Sequence, residues 1–246
     1  MDHYHRAYNS LVRMLQHRKY QLPDGNTDLS SLELSYEDFK AKYDGIQQGA
    51  LDITEVRRSD GLPVYVRFLN KPLTEVKATK DFFKNDLGVV FERHLPEVSV
   101  DRSKVSVLSD LLKECYVIVV YVSELKKGFH LVSPIERSLV YGAKLGELVQ
   151  NRIQFFATNR LTIDLLNAAI MPKFELLTPE QASALTFNRN KSNQFTLTDP
   201  VVKYFGAKPG DIFKITRATS NGTNEVCWRM VNRMITEPMK GAKDKS

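Results

Sequence analysis

The chain has 246 residues, 42% of them hydrophobic and 26% charged, which is typical of a soluble globular protein with one or two domains. Its two cysteines, Cys115 and Cys227, are too far apart in sequence for a paired-cysteine metal site and too few for a disulfide framework, so a reducing compartment is expected. The longest apolar run, at 116–122, is too short to cross a bilayer, and the net charge of +6 keeps DNA and RNA among the candidate partners.

Helical and strand patterns alternate through residues 1–165. Apolar residues at helical spacing predict a helix over 4–20, and Ser35 is placed to cap a second, short one. The run VYVRFL at 64–69 alternates like a half-buried strand, and VIVVYV at 117–122 is apolar on both faces, as in the centre of a sheet. This alternation predicts an α/β unit.

Shorter patterns complete this unit. A helix after the first predicted strand is indicated by three apolar residues at helical spacing, Val76, Phe83 and Leu87. Ser133 opens the capping-box sequence SPIE, which predicts a helix that runs to Val149. The runs RIQFFA and RLTIDLL that follow predict two short strands.

Helix caps and turn patterns follow one another closely in the C-terminal part of the chain. Thr178 begins a short helix by the same capping rule. In DPVVKYFGAKPGDIFKITR, at 199–217, Asp199 caps a helix, Pro200 takes its first position, and Gly206 ends it in a left-handed conformation.

A two-stranded ribbon is predicted after this helix. KPGD at 208–211 has the Pro and Gly of a type II turn, IFKITR is a strand, and EVCWRMV returns after the Asn-Gly turn at 221–222. The alternation places Val226, Trp228 and Met230 on one face of the returning strand. The aromatic residues predicted to form the small core of this module are Phe205, Phe213 and Trp228.

Residues that carry chemistry are sparse. The five histidines are scattered, and neither a nucleophile motif nor a phosphate-binding glycine loop is present. Glu124-Leu125-Lys126 follows the central strand and has the acid-x-lysine pattern of restriction-type nucleases, which hold a divalent metal and activate water. Because the neighbouring strand offers no second acid, the sequence predicts no catalytic residue, no metal site and no cofactor. A metal-dependent nuclease is the alternative.

A second alternative is a free nucleic-acid-binding module. Aromatic side chains of the helix and ribbon could stack on bases; they are Tyr204, Phe205, Phe213 and Trp228. Co-purification with a very large complex distinguishes a subunit of an assembly from both alternatives.

The segment 199–217 resembles the C-terminal module of a transcription subunit, the fifth subunit shared by the nuclear RNA polymerases, which has a small counterpart in the archaeal polymerase. The family pattern is Asp-Pro, a basic residue, Tyr-Phe-Gly, a further Gly, and a basic strand with Ile-x-Arg. The matching residues here are Asp199, Pro200, Lys203, Tyr204, Phe205, Gly206, Gly210, Ile215 and Arg217. Arg229 in the closing WRMV takes the family's Tyr-Arg position, and the resemblance covers residues 165–231.

The resemblance implies a fold with two domains and a tail. Residues 1–165 correspond by pattern to an α/β jaw domain, found in eukaryotic members, whose sheet is similar to that of restriction nucleases. Residues 166–231 form a small α+β assembly module, and 232–246 form a flexible tail.

The resemblance also implies a role. The chain is expected to be a non-catalytic subunit of a DNA-directed RNA polymerase that docks on the largest subunit and lies near downstream duplex DNA. The implied docking residues are Lys203, Tyr204, Arg217 and Arg229, and the implied DNA-proximal residues are Lys126 and Lys127. The expected location is the nucleus, including the nucleolus, with a viral transcription compartment as the alternative.

Several family positions differ in this chain. Ala168-Ala169 replaces the family's His-Glu, and Phe174 replaces a later His. Gln194 stands where the family has a basic residue. Ala218-Thr219 replaces a Pro-Ser. This drift indicates a divergent isoform, from a unicellular eukaryote or a large DNA virus.

Overall fold

The computed structural model describes residues 2–44, 49–69, 82, 87–94, 105–122, 152–162, 171–186, 194–219 and 221–232. The chain divides into two compact units: the described residues up to 162 belong to the first, and those from 171 onward to the second. The sequence places the domain boundary at 165/166. The predicted helix from Ser133 to Val149, most of the predicted helix around Val76, and the tail after 232 lie outside the described residues.

The first unit contains helices and strands in alternation. Its helices are α1 (Asp2–His17), α2 (Tyr36–Asp44), α3 (Gly88–His94), α4 (Val105–Glu114) and the short α5 (Thr158–Leu161). Its strands are β1 (Ile53–Arg57), β2 (Pro63–Phe68), β3 (Tyr116–Tyr121) and β4 (Ile153–Ala157). They form one sheet in the order β1-β2-β3-β4, with β2, β3 and β4 parallel and β1 antiparallel to β2.

Helices cover both faces of this sheet. On one face, α3 and α4 pack on alternate strand residues, with Phe155 and Val117 completely buried among them. On the other face, α1 buries Leu11 and Leu15, and the rings of Tyr8 and Phe68 lie 6.1 Å apart. Because both faces are covered, β2 is buried along almost its whole length rather than half-buried as its alternation predicted.

A buried ion pair explains the arginine within the apolar run of β2. The Arg67 guanidinium bonds the Asp52 carboxylate, which also accepts the Phe68 N–H at 2.9 Å. The side chain of Arg67 is only 4% exposed. Burial raises the pKa of Asp52, while the Arg67 charge and the Phe68 N–H act in the opposite direction.

The described residues of the second unit form a four-stranded sheet with two short helices. Its elements are β5 (Lys173–Leu176), α6 (Pro179–Ser183), β6 (Gln194–Thr196), α7 (Pro200–Phe205), β7 (Ile212–Ala218) and β8 (Asn224–Asn232). The sheet order is β5-β7-β8-β6, with β6 parallel to β8 and the other pairs antiparallel. The predicted ribbon is therefore the centre of a larger sheet, whose outer strands the sequence patterns did not predict.

Phe213 lies at the centre of the second core. Its ring meets those of Phe195 and Phe205 edge-on, at 5.5 and 5.2 Å between centroids. The α7 residues Val201 and Val202 pack into the same cluster. The prediction of Phe205 and Phe213 in the core is confirmed, whereas that of Trp228 is wrong. Trp228 pairs with Lys214 across the strands and is half-buried on the other face of the sheet.

Two further predictions differ from the structure. The helix predicted over 4–20 ends at His17, since Lys19 turns the chain with a φ of 58°. RLTIDLL was predicted as a strand, but Arg160 and Leu161 belong to α5, because the chain turns into a helix directly after β4.

The different burial of Phe213 and Trp228 gives a first prediction. Phe213→Ala should reduce the free energy of unfolding of the second unit by about 3–5 kcal/mol, because it empties the centre of the core. Trp228→Ala should cost about 1–2 kcal/mol, since less apolar area is lost. Native-state hydrogen exchange of the β7 amides measures both, and an equal loss in the two variants would contradict the placement.

Candidate docking surface of the second unit

Local residues fix where the helix α7 begins and where it ends. The Asp199 side chain accepts the Val201 N–H at 2.8 Å, and Pro200 occupies the first helical position. At the other end, Gly206 has φ 65° and ψ 28°, and its N–H is directed to the carbonyls of Val202 and Lys203. These features confirm the predicted caps and set the length of the helix.

The turn after α7 is bonded to the last strand. The Asp211 N–H donates to the Lys208 carbonyl at 3.0 Å, and Gly210 has a φ of 94°, as a type II turn requires. The Gly210 N–H then donates to the Val231 carbonyl at 2.9 Å, and the Val231 N–H donates to the Asp211 carbonyl at 2.8 Å. These hydrogen bonds join the turn after α7 to the end of β8.

The two arginines predicted to dock differ in environment. Arg217 lies near the end of β7, opposite Glu225 in register, and is exposed. Among the described residues it makes no ion pair. Arg229 is half-buried, and its guanidinium lies 5.1 Å from the centroid of the Phe195 ring.

Arg229 also acts on the helix cap. Burial raises the pKa of Asp199, while the amides of α7 and the Arg229 charge lower it. Arg229 therefore has partners inside the unit, whereas the guanidinium of Arg217 points to solvent. The other two predicted docking residues belong to α7: Lys203 is half-buried, and Tyr204 is only 8% exposed, so its ring is largely unavailable to a partner.

The exposed surface includes a strand edge. β7 lies between β5 and β8, so it offers no free edge where those strands pair with it. β6 pairs with β8 only at Met230, Val231 and Asn232. Among the described residues, Asn224 to Arg229 have no strand partner on the side of β8 away from β7. Val226 in this stretch is 38% exposed.

The described residues contain no group of three or more His, Cys, Asp or Glu side chains placed to hold a metal ion. The nuclease-like triplet Glu124-Leu125-Lys126 and the predicted DNA-proximal residues Lys126 and Lys127 lie outside the described residues. Cys115 is buried, which raises its pKa to about 12, so this thiol is not a nucleophile. No helix in the described ranges is long and apolar enough to cross a membrane.

Comparison with known proteins gives a family match that lies almost entirely in the second unit. The model of the family described as RNA polymerase Rpb5, C-terminal domain, matches residues 163–231. A relative named DNA-directed RNA polymerase subunit 5, from Acanthamoeba polyphaga mimivirus, is 30% identical over 89 residues, which are 34% of this chain. The matched segment spans 43% of that viral protein, less than half its length.

Archaeal relatives match over nearly their whole length. DNA-directed RNA polymerase subunit Rpo5 of Sulfolobus acidocaldarius is 38% identical over 79 residues, which are 30% of this chain and 94% of that protein. The subunit of the same name from Archaeoglobus fulgidus is 36% identical over 66 residues, 25% of this chain and 87% of that protein.

The left-handed end of α7 gives a second prediction. Gly206→Val should destabilise the second unit by about 2 kcal/mol, because a side chain with a branched β-carbon is strained at positive φ. Gly206→Asn is the control, since Asn tolerates this conformation, and should retain most of the stability. Denaturant unfolding followed by fluorescence reports on this unit alone, because Trp228 is the only tryptophan. Equal destabilisation by Val and Asn would contradict a conformational cause.

Proposed function

The chain belongs to the RNA polymerase Rpb5 family, and from this membership we propose that it is a non-catalytic subunit of a DNA-directed RNA polymerase, held in the enzyme by its second unit. The observation that carries the proposal is the coverage of the archaeal relatives. The matched segment makes up 94% of one polymerase subunit and 87% of another. A segment of this kind is thus almost an entire subunit there, and the corresponding segment here is proposed to suffice for assembly.

The proposed partner of the second unit is the largest polymerase subunit. Two features of the structure support docking at this unit: the exposed guanidinium of Arg217, and the strand edge from Asn224 to Arg229. Extended segments of a partner add to such edges through main-chain hydrogen bonds. The capped helix and the bonded turn are already ordered, so little conformational entropy is lost on association.

The first unit is proposed to be the jaw domain beside downstream duplex DNA in a nuclear polymerase. Support comes from its mixed sheet with helices on both faces, which matches the pattern expected of that domain. Lys126 and Lys127 are proposed to add a sequence-independent attraction to phosphates there. The chemistry of RNA synthesis belongs, in this proposal, to other subunits.

The structure gives the two alternative functions little support. A free module that stacks bases needs exposed rings, but Phe213 is fully buried and Tyr204 nearly so. A nuclease needs a second carboxylate near Glu124, and the neighbouring strand β2 carries none. We therefore expect no metal-dependent cleavage of DNA by this chain.

Assembly gives the third prediction. Residues 167–231, expressed as a tagged fragment, should recover the polymerase, while residues 1–165 should not. Arg217→Ala should weaken recovery about tenfold without unfolding the fragment, since a charge-assisted hydrogen bond to a partner contributes about 1.5–3 kcal/mol. The matched control is Lys173→Ala, which removes an exposed cation from the other face of the same sheet. Quantitative pull-down and a thermal unfolding scan are the two measurements.

The outcome that contradicts this proposal is recovery of the polymerase with residues 1–165 and not with 167–231. Equal losses in Arg217→Ala and Lys173→Ala would instead remove Arg217 from the docking surface and leave the assembly proposal intact.

The two lysines that are proposed to lie near DNA give the fourth prediction. In the assembled polymerase, replacing both Lys126 and Lys127 by Glu should reduce crosslinking to downstream DNA and make template binding weaker and less dependent on salt, because two cation–phosphate contacts and the counterions that they release are lost. Lys40 and Lys42 are exposed lysines on α2 of the same unit, so their replacement by Glu is the matched control. If both double variants behave like the wild type, Lys126 and Lys127 do not approach DNA.

A further inference from the structure

Arginine and aromatic side chains meet at one edge of the first sheet. This edge is formed by the ends of the strands and not by the side of an outer strand. The register places Arg57 opposite Pro63, and Val64 opposite Tyr116. The end of β1 and the beginnings of β2, β3 and β4 therefore lie along the same edge.

Two arginine guanidinium groups lie over the ring of one tyrosine at this edge. The Arg58 guanidinium lies 4.4 Å from the centroid of the Tyr116 ring, and that of Arg152 lies 5.3 Å from it. Arg18 lies 5.9 Å from the ring centroids of both Tyr20 and Phe156. We call these six residues the arginine–aromatic cluster. The three rings are buried, so the guanidinium groups cover their outward faces.

Intramolecular contacts hold all three guanidinium groups, and Arg18 donates from Nη1 to the Gln154 side-chain oxygen at 2.9 Å. The contacts of Arg58 and Arg152 do not use all their donors. Arg152 donates from one nitrogen, Nη1, to the Leu112 carbonyl at 2.9 Å and to the Lys113 carbonyl, both at the end of α4. Arg58 Nε lies 3.5 Å from an Asp60 carboxylate oxygen, a long ion pair. A guanidinium has donors on three nitrogens, so each of these two arginines keeps further N–H groups in a fixed plane.

Other charges surround the cluster. Lys19 and Arg57 are exposed beside it, and Lys113 is exposed but paired with Asp110. Lys19 has a positive φ at the end of α1, a position where glycine is the usual residue. The chain thus has a cation at a position whose backbone favours another residue. Burial, followed by the charges of Arg18 and Lys19, lowers the pKa of His17.

We propose that the arginine–aromatic cluster binds an acidic segment of another protein through the carboxylates of Asp and Glu side chains. A planar guanidinium held by a ring binds a carboxylate through two parallel hydrogen bonds and loses little entropy on doing so. This surface belongs to the first unit, whereas the proposed docking surface belongs to the second.

The surroundings favour carboxylates over a nucleic acid. Asp60, Asp110 and Glu114 lie among the cations, so a continuous phosphate backbone meets repulsion as well as attraction. The ring faces are covered by arginine, so bases cannot stack on them. Separate carboxylates on an extended segment can meet the arginines one at a time.

The test uses the full chain and a fluorescent peptide of alternating Asp and Glu, with binding followed by anisotropy. The wild type should bind the peptide more tightly than a fluorescent DNA duplex of equal charge. Arg58→Gln and Arg152→Gln should each weaken peptide binding about tenfold, equivalent to about 1.4 kcal/mol. Arg13→Gln is the matched control, because Arg13 is an exposed arginine whose bonds are to Glu33, and it should bind like the wild type.

Arg58→Lys distinguishes shape from charge. It keeps the positive charge over Tyr116 but loses the planar group, so it should weaken peptide binding about threefold. It also remains informative if Arg58→Gln lowers the unfolding temperature. Peptide binding that is unchanged in all variants of Arg58 and Arg152 would overturn the proposal. So would tighter binding of the DNA duplex that is lost in Arg58→Gln. Recovery of the polymerase by the second unit is independent of either result.

Discussion

The second unit depends on two backbone hydrogen bonds between its turn and its last strand, from Gly210 to Val231 and from Val231 to Asp211. They join the chain just after α7 to the end of β8, and so bring the helix onto the core face of the sheet. Phe213 then lies between Phe195 and Phe205. The Asp199 cap and Gly206 limit the helix to the length that this closure allows. A unit this small buries little apolar surface, so such local constraints contribute a large share of its order.

These constraints also explain which residue types occur in the motif that the chain shares with the Rpb5 family. Asp199, Pro200, Gly206 and Gly210 are used for caps and turns, and Phe205 for the core. None of them needs to touch a partner. In the assembly that we propose, contact with a partner falls to side chains at the margins of the sheet, such as the exposed Arg217. Most residues of the motif therefore set the shape of the unit, while in this proposal an exposed member of the motif, Arg217, supplies docking chemistry.

Local patterns predicted the parts of the fold that depend on neighbours in sequence. The caps of α6 and α7, the type II turn at Gly210 and the central strands β3, β7 and β8 follow from residues a few positions apart. The outer strands could not be predicted in this way. For example, β6 has only three residues and pairs with a strand more than thirty residues away. Trp228 was assigned to the core by residue type. Its alternation with Cys227 and Val231, which face the core, already placed it on the other side.

The ion pair of Arg67 and Asp52 and the arginine–aromatic cluster were also missed, for a related reason. Both join residues from separate elements, and a sequence shows only that an arginine interrupts an apolar run or follows a strand. The register of β1, β2, β3 and β4 brings Arg58, Tyr116 and Arg152 to one edge. No spacing rule predicts that meeting, since these residues lie far apart in the sequence.

We propose that this chain is a structural part of an RNA polymerase. The most direct test of this proposal is native affinity purification of the tagged full-length chain, with identification of the co-eluting proteins and an assay of RNA synthesis by the eluate. The account predicts that the largest polymerase subunit co-elutes in equal amount and that the eluate extends RNA on a DNA template. Elution of the chain alone, without polymerase subunits and without RNA synthesis, would contradict it.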